Sequence, residues 1–255
     1  MCLILLAHGA HPDYPLVIAA NRDEYYERPT AKAAFWEDHP QVLAGRDLEC
    51  MGTWLGITRT GRFAALTNFR DPRERKTVAP SRGRLVSDFL VSDREPRAYL
   101  EDVASRAQDY NGFNLLAGDV EGVYYFSSRA GAVQAVAPGI HGLSNHLLDT
   151  PWPKVERGKQ RLQQALADEP GTDALLELLH DREPAAASAL PDTGVGTELE
   201  RVLSPALIVS PQYGTRASTA VLFARDGAIS FSERTILRGG AAGATVSMHF
   251  SVSPA

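Results

Sequence analysis

Short hydrophobic runs broken by turn residues dominate both ends of the chain, and longer amphipathic stretches fill its middle. Residues 3–7 and 16–20 are aliphatic runs separated by the turn-rich sequence HGAHPDYP, and this arrangement predicts two paired strands. The same kind of pattern predicts further strands at 54–58, 62–68, 123–126, 133–137, 206–210, 219–224 and 228–232.

Helical periodicity is confined to the middle of the chain. It predicts helices at 83–91, with Ser81 as the N-cap, and at 97–110, 154–167 and 173–180. The sequence DREPAAASALPDTGVG, residues 181–196, is small, polar and proline-containing, which predicts a long surface loop. Strands at both ends with helices between them favour an α+β fold of antiparallel sheets over alternating βαβ units.

Composition narrows the class of protein. The chain has 255 residues, 44% hydrophobic and 22% charged, which is typical of a soluble protein with one sizeable core, and we expect one domain over residues 1–255. A net charge of −5 gives no electrostatic case for binding nucleic acid or an anionic membrane. No apolar run approaches the roughly 18 residues of a membrane span, and the start LILLA lacks the features of a signal peptide. We therefore expect a cytoplasmic protein.

Cysteine usage points to one position. The chain has two cysteines, and Cys2 directly follows the initiator methionine. A thiol needs a base or a stabilising charge to act as a nucleophile, and removal of Met1 would give Cys2 its own α-amine, with a reference pKa of about 7.7–8.0. The alternative is a buried strand cysteine. Cys50 is expected to be structural or merely tolerated, and the seven histidines show no metal-ligand spacing, so no metal site is predicted.

Polar residues cluster where predicted strands begin or end. Arginine can hold a carboxylate or stabilise a thiolate, and an asparagine amide can donate to an oxyanion in acyl transfer. Each position alone is also compatible with a solvated turn, but one thiol with several amides and arginines at strand ends indicates a site. The positions are Asn21, Arg22, Asp23 and Glu24 after VIAA, Asn68 after FAALT, Asn145 after GIHGLS, and Arg216 before ASTAVLF.

Motifs along nearly the whole chain resemble the NRDE family, also called the transport and Golgi organisation protein 2 family. They include MC at the start, VIAANRDEYYERPT, LAGRDLECMGTWLGITRTGRFAALTNFRDP, PSRGRLVSDFL, YNGFNLLAGD, GLSNHLLDTPWPKV, LPDTGV and SPQYGTRASTAVLF. The family is similar in turn to N-terminal-nucleophile (Ntn) hydrolases of the cysteine branch. This resemblance implies a four-layer αββα sandwich of two antiparallel sheets.

The resemblance also implies a catalytic set. Cys2 matches the nucleophile, Arg22 and Asp23 match charged residues beside it, and Arg216 matches a late-strand arginine that supports it. Asn68 matches an oxyanion donor, and Asn145 matches a second asparagine near the terminal amine. In the hydrolases the arginine and the aspartate lie three residues apart, whereas here they are adjacent, and neighbours on a regular strand face opposite sides. Either a bulge compensates or one of them alone reaches Cys2, with Asn21 as a substitute.

Two functional classes follow from the resemblance. The first is a cysteine amidohydrolase or acyltransferase acting on a small amide, thioester or acyl substrate, without a cofactor. The alternative is a binding or trafficking protein of the same family, linked to haem or lipid, in which haem would be a ligand held through Cys2 or a nearby histidine. Both expect a small-molecule partner, and neither fixes the oligomeric state.

Overall fold

In the computed structural model, which describes residues 2–74, 76–167 and 170–252, the strands form two antiparallel sheets. The six-stranded sheet has the order β10 (Gly139–Leu143), β1 (Cys2–His8), β2 (Leu16–Tyr25), β11 (Tyr213–Phe223), β12 (Ala228–Ile236) and β13 (Ala242–Ser251). The seven-stranded sheet has the order β3 (Thr30–Phe35), β4 (Val42–Asp47), β5 (Leu55–Thr58), β6 (Phe63–Asn68), β7 (Phe113–Gly118), β8 (Val123–Ser127) and β9 (Gln134–Ala135).

Helices cover the outer face of each sheet. The seven-stranded sheet carries α1 (Gly83–Val91) and α2 (Pro96–Ser105), and the six-stranded sheet carries α3 (Pro153–Ala167) and α4 (Thr172–Leu178). A short helix, α5 (Thr197–Val202), precedes β11. Separate hydrophobic clusters fill the space between the sheets and the space under each helix pair. The expected αββα sandwich is thereby confirmed.

The strand β2 is buried on both faces. Leu16, Ile18 and Ala20 belong to the cluster between the sheets, whereas Val17 and Ala19 pack under α3 and α4. Double burial explains why this segment is a continuous aliphatic run without polar alternation. It also fixes the faces of the polar residues that follow, because side chains alternate along a strand.

A β-bulge interrupts the pairing of β11 with β2. Thr215 pairs with Asp23 and Ala217 pairs with Arg22, so Arg216 is the extra residue. A bulge leaves one residue unpaired and changes which face the following side chains take. Thr215 therefore lies on the same helix-facing side as Ser218, although the two are three residues apart.

Most predicted elements are confirmed, and the differences have physical causes. The segment 206–210 is not a strand, since it has one isolated bridge, from Val209 to Gly214. Its other backbone groups bond to the side chains of Asn21 and Thr215 and to scattered backbone partners instead of a ladder. Ser81 is not the N-cap of α1, because Arg82 takes that position without a side-chain cap. The predicted helix at 97–110 ends at Ser105 and continues as a 3₁₀ turn. Within 133–137 the strand β9 is only two residues long, and Val136 N adds one hydrogen bond to the carbonyl of Val123. No helix in the described ranges is long and apolar enough to span a bilayer.

Candidate active site

A cleft of about 630 Å³ opens where β2 and β6 end, and its size is typical of a small-molecule site. Its walls come from the two sheets, the segment 76–83 and the loop before α5. Of the predicted site residues, the lining includes Arg22, Asp23 and Asn68. The lining also includes Cys50, Trp54, Arg70, Val195 and Tyr213.

The first strand begins beside this cleft. The backbone of Cys2 pairs with that of Arg22, so the start of β1 lies next to a residue of the cleft wall. Met1 and the side chain of Cys2 lie outside the described residues. The removal of Met1 and the thiol's role as nucleophile therefore stay predictions.

Arg22 lies on the face of β2 that points between the sheets, and its side chain is 4% exposed. Nη1 donates to Thr30 Oγ1 over 2.9 Å, and Nη2 lies 3.6 Å from Asp47 Oδ2. The guanidinium lies 4.3 Å from the centroid of the Trp54 ring, within range of a cation–π interaction. Ring, hydroxyl and carboxylate together hold a positive charge in a fixed place in the cleft wall.

Arg28 extends this group of charges toward solvent. Its Nε donates to Asp47 Oδ2 over 2.6 Å, Nη1 pairs with Glu49 at 3.2 Å, and Nη2 donates to Cys50 Sγ over 3.5 Å. Burial lowers the pKa of Arg28, but the hydrogen bond and charge of Asp47 outweigh burial and raise it above its usual range. We call Arg22, Glu24, Arg28, Asp47 and Glu49 the Arg22 wall.

Asp23 faces the opposite side of β2, toward the helices. Its side chain is almost fully buried, and Thr215 Oγ1 donates to Oδ1 over 2.7 Å. Burial raises the pKa of Asp23, and the charges of Lys154 and Arg70 and the Thr215 hydrogen bond oppose that rise. Lys154 is itself buried and donates from Nζ to the carbonyl of Leu203 over 3.0 Å. The adjacent Arg22 and Asp23 therefore reach the cleft from different faces of one strand.

Asn21 does not replace either of them in the cleft. Its Nδ2 donates to the carbonyls of Leu179 and Ala206 over 3.0 and 2.8 Å, and its Oδ1 accepts from Ser218 Oγ over 2.6 Å. These bonds tie β2 to the segments that cover the six-stranded sheet. Asn21 is therefore part of the scaffold and is absent from the cleft lining.

The two predicted asparagines lie together on the other side of the cleft. Asn68 is half-buried and lines the cleft, and Asn145 is fully buried behind it, with Nδ2 donating to the carbonyl of Asn68 over 3.0 Å. Arg70 Nη2 donates to Asn145 Oδ1 over 3.2 Å, and Arg70 N donates to the carbonyl of Asn145 over 2.8 Å. Partners on both sides fix the orientation of the Asn145 amide.

Arg70 connects this pair of amides to a distant carboxylate. Its Nη1 donates to Glu200 Oε2, and both side chains are at most 5% exposed. Burial lowers the pKa of Arg70, and the charge of Glu200 opposes that effect. We call Arg70, Glu200 and Asn145 the Arg70 wall. The motif NFRDP contains Arg70, but the sequence offers no signal that links it to Glu200, 130 positions away.

Arg216 does not line the cleft. As the extra residue of the bulge it points to the turn after β2, where Nη1 donates to the carbonyls of Tyr25 and Arg28 over 2.7 and 3.3 Å. The expected gathering of Arg216 with the asparagines therefore does not occur, since the bulge directs its side chain to that turn.

No group of three or more His, Cys, Asp or Glu side chains in the described ranges has an arrangement that would hold a metal ion. The cleft's chemistry lies in its arginines, carboxylates and amides, together with the chain start beside them.

Sequence comparison places the chain in a family. The sequence model described as Transport and Golgi organisation 2 matches residues 1–238. The chain belongs to the transport and Golgi organisation 2 family. It is 39% identical to the transport and Golgi organization protein 2 homolog of Bos taurus and 36% identical to that of Homo sapiens. Each alignment covers 93% of this chain and 94% of the relative.

Among solved structures, this member of the family resembles the C2A mutant of conjugated bile acid hydrolase from Clostridium perfringens. The TM-score is 0.51 at 9% identity, and the match covers 98% of this chain and 92% of the other. At that identity the likeness concerns the fold. It agrees with the Ntn-hydrolase-like sandwich expected from the sequence.

Proposed function

We propose that this protein is a cysteine amidohydrolase or acyltransferase that acts on a small amide or thioester through Cys2, after removal of Met1. One observation carries the proposal: the start of β1 pairs with Arg22 at the edge of a cleft lined by Asp23 and Asn68. A cysteine also stands at position 2 of the bile acid hydrolase whose C2A mutant shares this fold.

In the proposed reaction, the Cys2 sulfur attacks the substrate carbonyl while the Cys2 α-amine accepts the thiol proton. The tetrahedral intermediate then collapses, the C–N or C–S bond breaks, and the α-ammonium returns the proton to the leaving group. Water, or an acceptor in a transferase, attacks the thioester and releases the acyl group. The cycle regenerates the thiol and the neutral amine.

The electrostatic surroundings support this assignment. Arg22 is a buried cation held against Trp54, and a fixed positive charge favours a thiolate over a thiol. Asp23 and Lys154 are both buried, and the charge of Lys154 opposes the rise that burial causes in the pKa of Asp23, which favours an ionised carboxylate at the cleft.

The two asparagines take different roles in this proposal. Both polar atoms of the Asn145 amide are engaged, by the carbonyl of Asn68 and by Arg70. Asn68 lines the cleft, and no hydrogen bond of its side-chain amide is found within the described residues. We therefore assign oxyanion donation to Asn68, and we assign to Asn145 the placing of the Asn68 backbone.

The test combines mass spectrometry, thiol labelling and turnover. Intact mass reports whether Met1 is lost, and iodoacetamide labelling of Cys50→Ser follows Cys2 alone. A panel of N-acyl aminocoumarins and acyl thioesters is then assayed with wild type, Cys50→Ser and Cys2→Ser. We expect loss of Met1, rapid labelling and turnover that Cys2→Ser abolishes and Cys50→Ser retains. Retention of Met1, or equal turnover by Cys2→Ser and wild type, contradicts the mechanism.

A further inference from the structure

The loop at residues 190–196, sequence LPDTGVG, reaches the mouth of the cleft. Val195 is part of the cleft lining and lies between Gly194 and Gly196, whose φ angles are +86° and +87°. Left-handed φ angles of this kind strongly favour glycine, so the two glycines set the course of the backbone on either side of Val195. A Cβ atom on Gly194 would lie 3.6 Å from Cγ of Pro72, which also lines the cleft.

One buried carboxylate holds this loop. Glu200 is 2% exposed, and its Oε1 accepts hydrogen bonds from Thr193 N over 2.9 Å and Thr193 Oγ1 over 2.6 Å. Its Oε2 accepts from Arg70 Nη1. Because different partners occupy the two oxygens, the carboxylate physically joins the loop to the Arg70 wall.

The connection continues on the far side of Arg70. Arg70 Nη2 donates to Asn145 Oδ1, and Asn145 Nδ2 donates to the carbonyl of Asn68 in the cleft. The Arg70 guanidinium also lies 5.0 Å from the centroid of the Trp152 ring, which restricts its movement. An unbroken chain of hydrogen bonds thus runs from Thr193 through Glu200, Arg70 and Asn145 to the backbone of Asn68.

We propose that Glu200 is a positioning residue that couples the loop 190–196 to the two asparagines of the cleft. Val195 then contacts the apolar part of a bound substrate. The position that the loop takes on binding affects the position of Asn145 through Glu200 and Arg70. The catalytic consequence rests on the proposed function, whereas the coupling itself is a property of the fold. Buried and fully satisfied networks of this kind hold their members in one arrangement, because every broken bond leaves a buried polar group unpaired.

Hydrogen–deuterium exchange of the full chain tests the coupling by a change at one end and a measurement at the other. Thr193→Val removes the Oγ1 hydrogen bond to Glu200 and touches neither Arg70 nor Asn145. We expect exchange at the Thr193 amide to rise about tenfold. We also expect exchange at the Arg70 amide, which donates to the Asn145 carbonyl, to rise severalfold. Thr245→Val is the matched control, since Thr245 is exposed on β13 and its Oγ1 accepts from Arg234 over 3.3 Å, outside the network of Glu200 and Arg70.

A second variant addresses the other end of the link. Glu200→Gln keeps an oxygen for Thr193 but lacks the charge that pairs with Arg70, so exchange should rise more at Arg70 than at Thr193. If Thr193→Val loosens the loop and leaves Arg70 unchanged, or changes neither amide, the coupling is disproved. It is also disproved if the Thr245→Val control raises exchange at Arg70 to the same extent.

The same variants separate this inference from the proposed function. With a turned-over panel substrate, Thr193→Val should mainly raise KM through the loop, and Glu200→Gln should mainly lower kcat through Asn145. A parallel exchange experiment in Cys2→Ser involves no chemistry at the thiol. If Thr193→Val raises exchange at Arg70 but Cys2 neither labels nor turns over substrate, the proposed function is rejected and the coupling through Glu200 stands. If Cys2 is reactive but exchange at Arg70 does not change, the coupling is rejected and the proposed function stands.

Discussion

The two charged walls of the cleft each place arginine charge at the site, but they differ in how many carboxylates neutralise it and in how deeply the charged groups are buried. In the Arg22 wall, two arginines share three carboxylates, and most of these groups keep partial contact with water. In the Arg70 wall, one arginine meets one carboxylate, and both are almost fully buried. In the first wall, Arg22, Arg28, Glu24 and Asp47 each have more than one partner. In the second, Arg70 is the one cation that pairs with Glu200 among the residues that the structure describes.

This difference determines how each wall responds to damage. A buried ion pair gains little net stability over a hydrophobic replacement, but loss of one partner leaves an uncompensated charge in a low-dielectric surrounding. A partly exposed network loses little when one member goes, since water and the remaining partners take over its interactions. The Arg70 wall should therefore be sensitive to the loss of either charge, and the partly exposed members of the Arg22 wall, Glu24, Arg28 and Glu49, should tolerate substitution.

The largest effect is expected from Arg70→Met, which leaves the buried Glu200 carboxylate without its cation. We expect the free energy of unfolding to fall by about 3–5 kcal/mol, as is typical when a buried pair is broken. Urea denaturation measures it. Arg28→Met in the other wall is the matched control, and an equal loss in both variants would show that the two walls do not differ in this way.

An intermediate effect is expected at Glu233, a buried carboxylate near Arg22. Its Oε1 accepts from the Ala33 backbone N–H over 2.7 Å, and it forms no ion pair within the described ranges. Burial raises the pKa of Glu233 to about 7, against the opposing effects of the Ala33 N–H, the Arg22 charge and Thr219. Glu233 therefore shows what a buried carboxylate does without the partner that Glu200 has.

The raised pKa gives a pH dependence of definite sign. The folded state binds the Glu233 proton more tightly than the unfolded state, so this stabilising contribution is complete below about pH 4.5 and is lost as the pH rises through about 7. Glu233→Gln does not lose it. Relative to wild type, the variant should gain up to about 3 kcal/mol of unfolding free energy between pH 4.5 and pH 8. Denaturation curves at both pH values measure this, and a pH-independent difference would contradict it.

The smallest effect is expected from Glu49→Gln in the Arg22 wall. The Glu49 side chain is 56% exposed, and Arg28 keeps Asp47 and Glu24 as partners when Glu49 loses its charge. The unfolding free energy should change by less than about 1 kcal/mol. In the Cys50→Ser background, iodoacetamide should label Cys2 at the same rate with and without Glu49→Gln. A loss comparable to that of Arg70→Met would mean that the Arg22 wall is not redundant.

The strands of the core could be predicted from the sequence because hydrophobic runs such as 3–7 and 16–20 encode burial directly. Asn68 and Asn145 could be predicted as neighbours only through a family resemblance, since 77 positions separate them. The ion pair of Arg70 with Glu200 depends on tertiary packing alone. Neither the motif NFRDP around Arg70 nor the segment TELERV around Glu200 contains a signal that predicts the pairing. The prediction of a strand at 206–210 was wrong for a related reason: the segment is apolar enough for a strand, but its backbone bonds to two side chains and to scattered backbone groups instead of a ladder.

The bulge in β11 has a consequence for how this site can change. In Ser218–Phe223, side chains alternate between the two faces of the sheet residue by residue. The extra residue Arg216 shifts this alternation by one position, so that Thr215 faces the same side as Ser218. The chemistry around Asp23 is thus offset by one residue from the packing that holds the sheet. Residue 216 itself has no partner in this register, since Thr215 pairs with Asp23 and Ala217 with Arg22. The side chain at 216 can therefore change without altering either the core register or the contact of Thr215 with Asp23.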